Sequence, residues 1–474
     1  MFDSFIKLNS ELSNFLWGYP MITSLFFGGI YLVYKSRFWV YKNFFYIFSQ
    51  TFGKISSNKD TNESSISPFQ AVSTALAGTI GAGSIIGVST AIEFGGPGSI
   101  FWMWLAAIVC MTTKMAEVCF AVATRRVDLD GKFVGGPMYY ISEGAKKPVL
   151  AKVFAGFSII AILGTGALVQ SNSISESVKD LSGLPLNISG LVIIVLLFLV
   201  LVGGIQRIGA FAEKIVPFMA LFYVLGSLFI IFLQRNHLAD AFRLIVRDAF
   251  SSESLVGGAS GSGIMLGVRW GLARGIFSNE AGLGTAPMAH ASSNTDHPVR
   301  QGMWGAMEVF ISSIVICTMT ALVIITSGLW QDPNLSGASL TAAAFSKSFP
   351  FGRYIVSVSL ILFAFTTAVS WCYYGERSIF YLTKSRKITA AFKYLYIGFC
   401  YLGAIGGLKF AWNVADTANA LMAIPNIISL VIMANVFYKL IRDFDFLREN
   451  NGLGDYSWTF DNKRKDFFKK YIRI

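Results

Sequence analysis

The chain has 474 residues, of which 54% are hydrophobic and only 14% charged, against roughly a quarter charged in an ordinary soluble domain. With a mean hydropathy of +0.57, the apolar surface exceeds what one packed core can hide, since single cores stop growing beyond about 250 to 300 residues. The remaining solvent has to be lipid, and the net charge of +12, collected in short loops and the tail, reads as membrane orientation and not as a nucleic-acid surface.

In chain order, apolar runs long enough to cross about 30 Å of hydrocarbon begin near Trp17, Pro68, Ile100, Val153, Leu186, Ala212, Gly263, Gly305, Gly352, Ala390 and Trp412. This pattern predicts an all-α polytopic membrane protein with about eleven transmembrane helices. The first run, Trp17 to Tyr34, is followed by basic residues without a small-residue cleavage site and reads as a retained span. Lys35, Arg37, Lys42, Lys54 and Lys59 follow it; Arg125, Arg126, Lys132, Lys146 and Lys147 mark a second basic loop, and Lys384, Arg386 and Lys387 a third. The tail from Lys439 adds Arg442, Arg448, Lys463, Arg464, Lys465, Lys469, Lys470 and Arg473. Their alternation puts the amino terminus outside and the carboxyl terminus in the cytoplasm, which requires an odd number of spans. Between Gln234 and Gly263, Arg235, Arg243 and Arg247 go against that bias. The segment reads as an amphipathic surface helix with Leu238, Ala241, Phe242 and Ile245 on one face. The five cysteines lie in apolar runs without CxxC spacing or a histidine cluster, so neither a disulfide framework nor a zinc site is expected.

Two glycine-rich runs interrupt the apolar pattern. One is Ala77-Gly78-Thr79-Ile80-Gly81-Ala82-Gly83-Ser84-Ile85-Ile86-Gly87, and the other extends from Gly275 to Thr285 and contains Ser278-Asn279-Glu280. At membrane depth, backbone outside a helical ladder is tolerated only where it is buried in protein or lines a cavity. The runs lie five spans apart. With the first span set aside as an accessory, the remaining ten fall into two sets of five that each open on an interrupted helix, and an odd repeat length inverts one set relative to the other. The division is 1–66 for the accessory helix and its basic loop, 67–234 and 235–440 for the repeats, and 441–474 for the basic tail.

A break at mid-membrane aims amide N–H groups at a carboxylate and frees carbonyls for a cation, so paired breaks suit a zwitterion. Charge-assisted hydrogen bonds are worth roughly 1.5 to 3 kcal/mol each, so two or three are needed to offset desolvation of a carboxylate. Gly81 and Gly83 permit the close approach. Competing readings stand beside these. Gly83 and Gly87 also form a GxxxG packing motif, and Thr366-Thr367 either hydrogen-bond within their own helix or supply oxygens to a cation. Glu117, Glu280 and Glu308 are carboxylates in or near spans that could take a proton on burial. Lys114, one turn before Glu117, suggests an ion pair; Arg269 and Arg274 are placed to neutralise Glu280; His290 and His297 read as gate or structural residues. There is no HExxH, no GxSxG and no acid and histidine paired at a workable spacing in the sequence, so an enzyme is not expected.

At these residues the sequence resembles the alanine or glycine:cation symporter family of bacteria and archaea. The resemblance covers nearly the whole chain: GTIGAGSIIGVSTAIEFGGPGSIFWMW from Gly78, GKFVGGPMYYI from Gly131, RGIFSNEAGLGTAPMAHA from Arg274, TDHPVRQG from Thr295 and SWCYYGERS from Ser370. It implies a leucine-transporter-like 5+5 inverted repeat with one extra N-terminal helix, and sodium-driven uptake of alanine and glycine by alternating access. Sodium is then a coupling ion, and no other cofactor is implied. Carried over by position, amides near Ala82 and Gly83, with Gly81, receive the substrate carboxylate, supported by Thr79 and Ser84. Phe277, Ser278 and Asn279 face the amino group, Gln170 borders the pocket, and Trp371 and Phe277 form its apolar walls, which implies a small ligand. The sodium ligands implied are the carbonyls of Ala77, Ile80 and Phe363 with Thr366 and Thr367. Similar proteins usually have Thr-Gly-Asn where this chain has Ala82-Gly83-Ser84, which bears on affinity or substrate range.

Overall fold

The computed structural model describes residues 2–54, 66–128, 131–251, 262–406 and 409–450. Lys59 and the basic residues from Lys463 onward lie outside them. Helices α1 (Phe2–Leu16) and α2 (Tyr19–Lys35) are followed by the short α3 (Trp39–Lys42) and α4 (Phe44–Thr51). Next come α5 (Pro68–Thr79), α6 (Ile86–Gly95) and α7 (Ser99–Ala123). An antiparallel pair, β1 (Arg126–Val127) and β2 (Phe133–Val134), leads to α8 (Pro137–Tyr139). Helix α9 (Pro148–Ala161) runs through wide π-helical turns, Ile162–Val169, into α10 (Gln170–Ser182). Then α11 (Leu186–Leu201), α12 (Gly204–Leu233), α13 (Leu238–Phe250), α14 (Ser262–Asn279) and α15 (Pro287–His290) follow. Helix α16 (Pro298–Val309) again passes through π-helical turns, Phe310–Cys317, into α17 (Thr318–Ser327). The described residues close with α18 (Gly337–Ser348), α19 (Gly352–Thr383), α20 (Arg386–Ala404), α21 (Lys409–Ile432) and α22 (Ala434–Glu449).

The chain is thus predominantly helical. Among the described residues six helical stretches are long and apolar enough to cross a membrane, and the bent pair α5–α6 makes a seventh. The other apolar runs of the sequence also lie on helices, α2, α11, α14 and α20. Lipid is the solvent for the outer helices: Leu191, Val195 and Leu199 on α11 and Leu221, Leu225 and Phe232 on α12 are exposed, which a water-soluble monomer avoids over so large a surface. Inside, α7 is the buried axis on which α14 and α16 pack. Small residues permit this approach: a Cβ on Gly305 of α16 would meet Val118 at 2.8 Å, and one on Gly271 of α14 would lie 2.2 Å from the Ser99 carbonyl.

The amphipathic segment is found as α13, with a correction to its inner face. Ala241 and Ile245 are buried, but Phe242 is 41% exposed. The inner face continues through Asp248 and Ala249, because Asp248 accepts a hydrogen bond from the Gly98 amide at 2.7 Å just ahead of α7. Burial pushes this carboxyl up, and the Gly98 N–H pulls against it. No side chain fits at Gly98, where a Cβ would stand 2.4 Å from the Ala249 amide nitrogen. Asp248→Ala is expected to leave that amide without an acceptor and to destabilise the protein by about 1 to 3 kcal/mol, seen as a lower melting temperature in detergent; Asp248→Asn, which keeps an acceptor, should lose less.

The amino-terminal segment is tied to the last helices by indole N–H groups: Trp17 Nε1 donates to the Asp416 carbonyl of α21 at 2.8 Å, and Trp39 Nε1 to the Asp445 carboxylate of α22 at 3.0 Å.

Candidate functional site: two facing helix breaks

Helix α5 starts firmly, with Ser67 and Gln70 forming a capping box and Pro68 in the first turn, and stops in mid-span. Ile80 leaves helical geometry at φ −81°, ψ 79°. A single 3-10 turn, Ala82–Ser84, then leads into α6, and the two halves meet at 63°. Within the turn the Ser84 amide bonds to the Gly81 carbonyl and the Ile85 amide to that of Ala82. The amides of Ala82 and Gly83 have no acceptor among the described residues.

The second break follows Asn279. Glu280 takes a positive φ of 53°, and Gly282 and Gly284 have φ of 89° and 83°, left-handed values that only glycine adopts readily. Glu280 staples the opened segment: its carboxylate accepts from Thr285 Oγ1 at 2.5 Å and from Trp371 Nε1 of α19 at 3.1 Å. The breaks meet where Ser84 Oγ lies 3.4 Å from Ser278 Oγ, and where a Cβ on Gly83 would touch the Phe277 ring at 3.5 Å. Ser278 Oγ also reaches Cys317 Sγ at 3.1 Å, in the π-helical turns before α17.

On its other side the first break leans on α19. Thr367 Oγ1 lies 2.9 Å from the Ala77 carbonyl and 2.8 Å from that of Phe363. Gly81 leaves room for this, since its Cβ would be 2.8 Å from Thr367 Oγ1. Thr366 bonds to the carbonyls of Phe363 and Leu362 in its own helix, both at 3.0 Å. The structure thus joins Ala77, Phe363 and Thr367; the Thr366 hydroxyl instead turns to its own helix and to Met219 Sδ of α12 at 3.5 Å, and the carbonyl of the buried Ile80 accepts no hydrogen bond from either threonine among the described residues.

Gln170 opens α10 with its Nε2 on the Thr165 carbonyl at 3.2 Å, and Asn419 of α21 donates to Thr165 Oγ1 at 2.7 Å. Gln170 Oε1, Asn279 Nδ2 and Asn419 Oδ1 are among the buried polar atoms that lack a hydrogen-bond partner among the described residues. Buried groups of this kind ordinarily carry a partner, so each is a candidate ligand contact. Asn419 escaped the sequence reading, although a polar residue within an apolar span was a usable signal. Trp371 is buried and packs on the wide turns, where a Cβ on Gly166 would lie 2.6 Å from it.

A charged network beside the breaks differs from the pairing expected from sequence. Lys114 faces Glu308 of α16 at 3.3 Å and makes no ion pair with Glu117, because Glu117 instead takes a hydrogen bond from Asn426 Nδ2 at 2.5 Å. Glu308 also accepts from Thr79 Oγ1 and lies 3.1 Å from His290 Nε2. Gln301 Nε2 meets His290 Nδ1 at 2.8 Å, which assigns Nδ1 as acceptor and Nε2–H as donor to Glu308. Arg274 does not neutralise Glu280; it stacks over Trp270 and Phe277 at 5.1 and 5.9 Å, and Arg269 lies over Trp270 at 5.9 Å. His297 caps α16, its Nδ1 accepting from the Val299 amide at 3.1 Å and its Nε2 lying 3.3 Å from Asp443; burial pushes its imidazole down and Asp443 opposes the shift.

Residues 3–455 match the model of the sodium:alanine symporter family. The chain is 40% identical over 453 residues to the sodium/alanine symporter AgcS of Methanococcus maripaludis, covering 94% of this chain and 98% of that protein. It is 33% identical over 481 residues to the probable sodium/glutamine symporter GlnT of Bacillus subtilis, with 97% of each covered. Among solved structures, the Eremococcus coleocola manganese transporter matches 77% of this chain and 76% of its own, with a TM-score of 0.48 and 12% identity. By the breadth and identity of the sequence matches, the chain belongs to the sodium:alanine symporter family.

Proposed function

We propose that this cation-coupled amino acid transporter imports alanine and glycine together with sodium by alternating access across a bacterial or archaeal plasma membrane. The arrangement is eleven spans: an accessory helix and two inverted sets of five, opened by α5–α6 and α14–α15, with the amino terminus outside and the carboxyl terminus in the cytoplasm. The observation that carries the reading is the pair of unpartnered amides at Ala82 and Gly83, in a turn whose Gly83 lies against the Phe277 ring and whose Ser84 hydroxyl meets that of Ser278. The amides suit a substrate carboxylate. On the opposite side the orphaned Asn279 Nδ2 is a donor, so the ammonium is placed against carbonyl and hydroxyl oxygens of Phe277 and Ser278, with Asn279 shaping the seat. Gln170 and Trp371 border the same space, and their bulk with Phe277 favours a small side chain. Sodium is placed at the oxygens of Ala77, Ile80, Phe363, Thr366 and Thr367, a hard-ligand set without a permanent charge.

The test is uptake of radiolabelled alanine into proteoliposomes under an imposed sodium gradient, with glycine and glutamine as competitors. A sodium symporter accumulates label above the outside concentration and loses that ability when potassium replaces sodium. Mere equilibration would refute coupling, and competition by glutamine as strong as by glycine would refute the substrate assignment. A second reading, proton coupling, is favoured by the buried carboxylates Glu117, Glu280 and Glu308 around the single Lys114; accumulation driven by a proton gradient without sodium decides for it. Asn279→Ala and Trp371→Ala are each expected to weaken alanine binding roughly tenfold in a protein that still purifies as a single species. Unchanged affinity in both would refute the pocket.

A further inference from the structure

On the lipid-facing side of the molecule, α10, α11, α12 and α19 enclose a groove of about 500 Å³. Its walls are apolar: Ile188, Leu196 and Val200 come from α11, and Phe211 and Ile215 from α12. At its α12 side Phe211 meets Phe365 of α19 edge-on at 5.9 Å. We propose that this groove seats one acyl chain of an anionic phospholipid of the cytoplasmic leaflet, with the phosphate held by Arg207 and Lys214 of α12.

The interior of the groove selects hydrocarbon over water. Two hydroxyls line it, Ser189 and Thr366, and both are already engaged: Ser189 donates to the Pro185 carbonyl, and Thr366 to the carbonyls of Leu362 and Phe363. A water molecule needs two to four polar partners, and the groove has none to spare. Along α11 the wall from Ile188 to Val200 rises about 18 Å at 1.5 Å per residue, slightly more than one leaflet of a hydrocarbon core about 30 Å thick. One lipid chain fits that depth.

Apolar walls do not choose among lipids, because lipid tails are as apolar as the leucines they touch. The choice falls to the rim. On the orientation proposed above, α12 starts at the cytoplasmic face, and residues 215–233 carry no charge. That stretch is about 28 Å long, close to the thickness of the hydrocarbon, so Lys214 stands at the level of the headgroups. Arg207, Phe211, Lys214 and Ile215 share one face of the helix by their spacing; the two apolar members line the groove, and the two cations flank its cytoplasmic end. Both cations are exposed, and neither makes an ion pair among the described residues. The neighbouring Glu213 is turned to Gln70 of α5 at 2.9 Å. Basic side chains beside a gap between helices, on the cytoplasmic side, suit an anionic headgroup. The chain would pack on Thr366, one residue from the Thr367 hydroxyl that holds the first break.

The test uses the full-length protein, stripped of lipid in detergent and followed by native mass spectrometry as dioleoyl phosphatidylglycerol or dioleoyl phosphatidylcholine is added. The tails are identical, so a difference reports the headgroup. The parent is expected to take up one phosphatidylglycerol at a concentration roughly tenfold lower than one phosphatidylcholine. Arg207→Gln with Lys214→Gln, both at exposed positions, should bring the two lipids together. Leu196→Trp, which fills the groove and keeps the cations, should weaken the first binding of either lipid. Lys35→Gln with Lys42→Gln, which removes the same charge from another cytoplasmic stretch, should behave as the parent. A parent without preference, a preference that survives in the Arg207 and Lys214 variant, or one lost equally in the Lys35 and Lys42 variant would overturn the proposal. So would a parent of two chains that Leu196→Trp converts to one, since the groove would then be covered by a second copy. Lipid uptake is read without alanine or sodium, so failure of the transport reading leaves this result standing on its own.

Discussion

Glu308→Gln is expected to lower the yield of folded transporter more than any other single substitution at the breaks. Lys114 is fully buried, and its one ion-pair partner among the described residues is Glu308 at 3.3 Å. Removing one member of a buried pair strands the other charge, at a cost of about 3 to 5 kcal/mol. The same carboxylate receives Thr79 Oγ1 from the first break and faces His290 just beyond the second, so the loss spreads to both openings. The companion variant separates charge from packing: Lys114→Met with Glu308→Leu removes both charges, and such apolar replacements of buried pairs are often neutral or stabilising. The double variant should therefore melt higher in detergent than Glu308→Gln alone, yet fail in alanine uptake, because Thr79 and His290 have lost their acceptor. A single variant that melts with the parent would show that Lys114 finds its compensation elsewhere.

The second large effect is expected on sodium dependence. Thr367 Oγ1 is the atom that joins α19 to the opened end of α5, through the Ala77 carbonyl at 2.9 Å. Thr367→Val keeps the shape and deletes the oxygen. Gly81→Ala deletes nothing but places a Cβ 2.8 Å from that hydroxyl, so the threonine must rotate away from Ala77. Both changes should raise the sodium concentration for half-maximal alanine uptake roughly tenfold or more, as expected when one favourable contact to a charged group is lost. Ser370→Ala is the control: it removes a 2.8 Å hydrogen bond between the same helices, to the Thr74 carbonyl, away from the proposed cation. It should cost stability and leave the sodium requirement alone. Equal sodium dependence in all three variants would remove Thr367 from the coupling site.

The breaks were legible in the sequence because glycines and consecutive polar residues inside an apolar span have few other physical explanations. The glycines read as room for a ligand carboxylate, whereas the neighbours that come close at Gly81 and Gly83 are the Thr367 hydroxyl and the Phe277 ring. The partners of the charges were not legible. Spacing along one helix assigned Lys114 to Glu117, but helix α7 is buried on nearly all sides, so side chains three apart each meet a different neighbour: Lys114 meets α16 and Glu117 meets α21. Nearness in sequence likewise paired Arg274 with Glu280, whereas a half-turn at the break turns Glu280 toward Trp371 and leaves Arg274 beside Trp270. Phe242 failed for a related reason. Hydropathy placed it on the inner face of α13, and the inward position was taken by Asp248, a residue chosen by the backbone amide it must satisfy. Patterns within one helix report which face is apolar; they do not report which distant helix will cover it.

The two indole ties of the amino-terminal segment span 399 and 406 residues of chain. Closing so long a loop adds little thermodynamic cost, since loop entropy grows only with the logarithm of length, but it fixes an order of events during synthesis. Trp17 and Trp39 leave the ribosome long before Asp416 and Asp445 exist. The amino-terminal segment therefore spends most of translation without these neighbours, and α21 and α22, made far later, complete its packing.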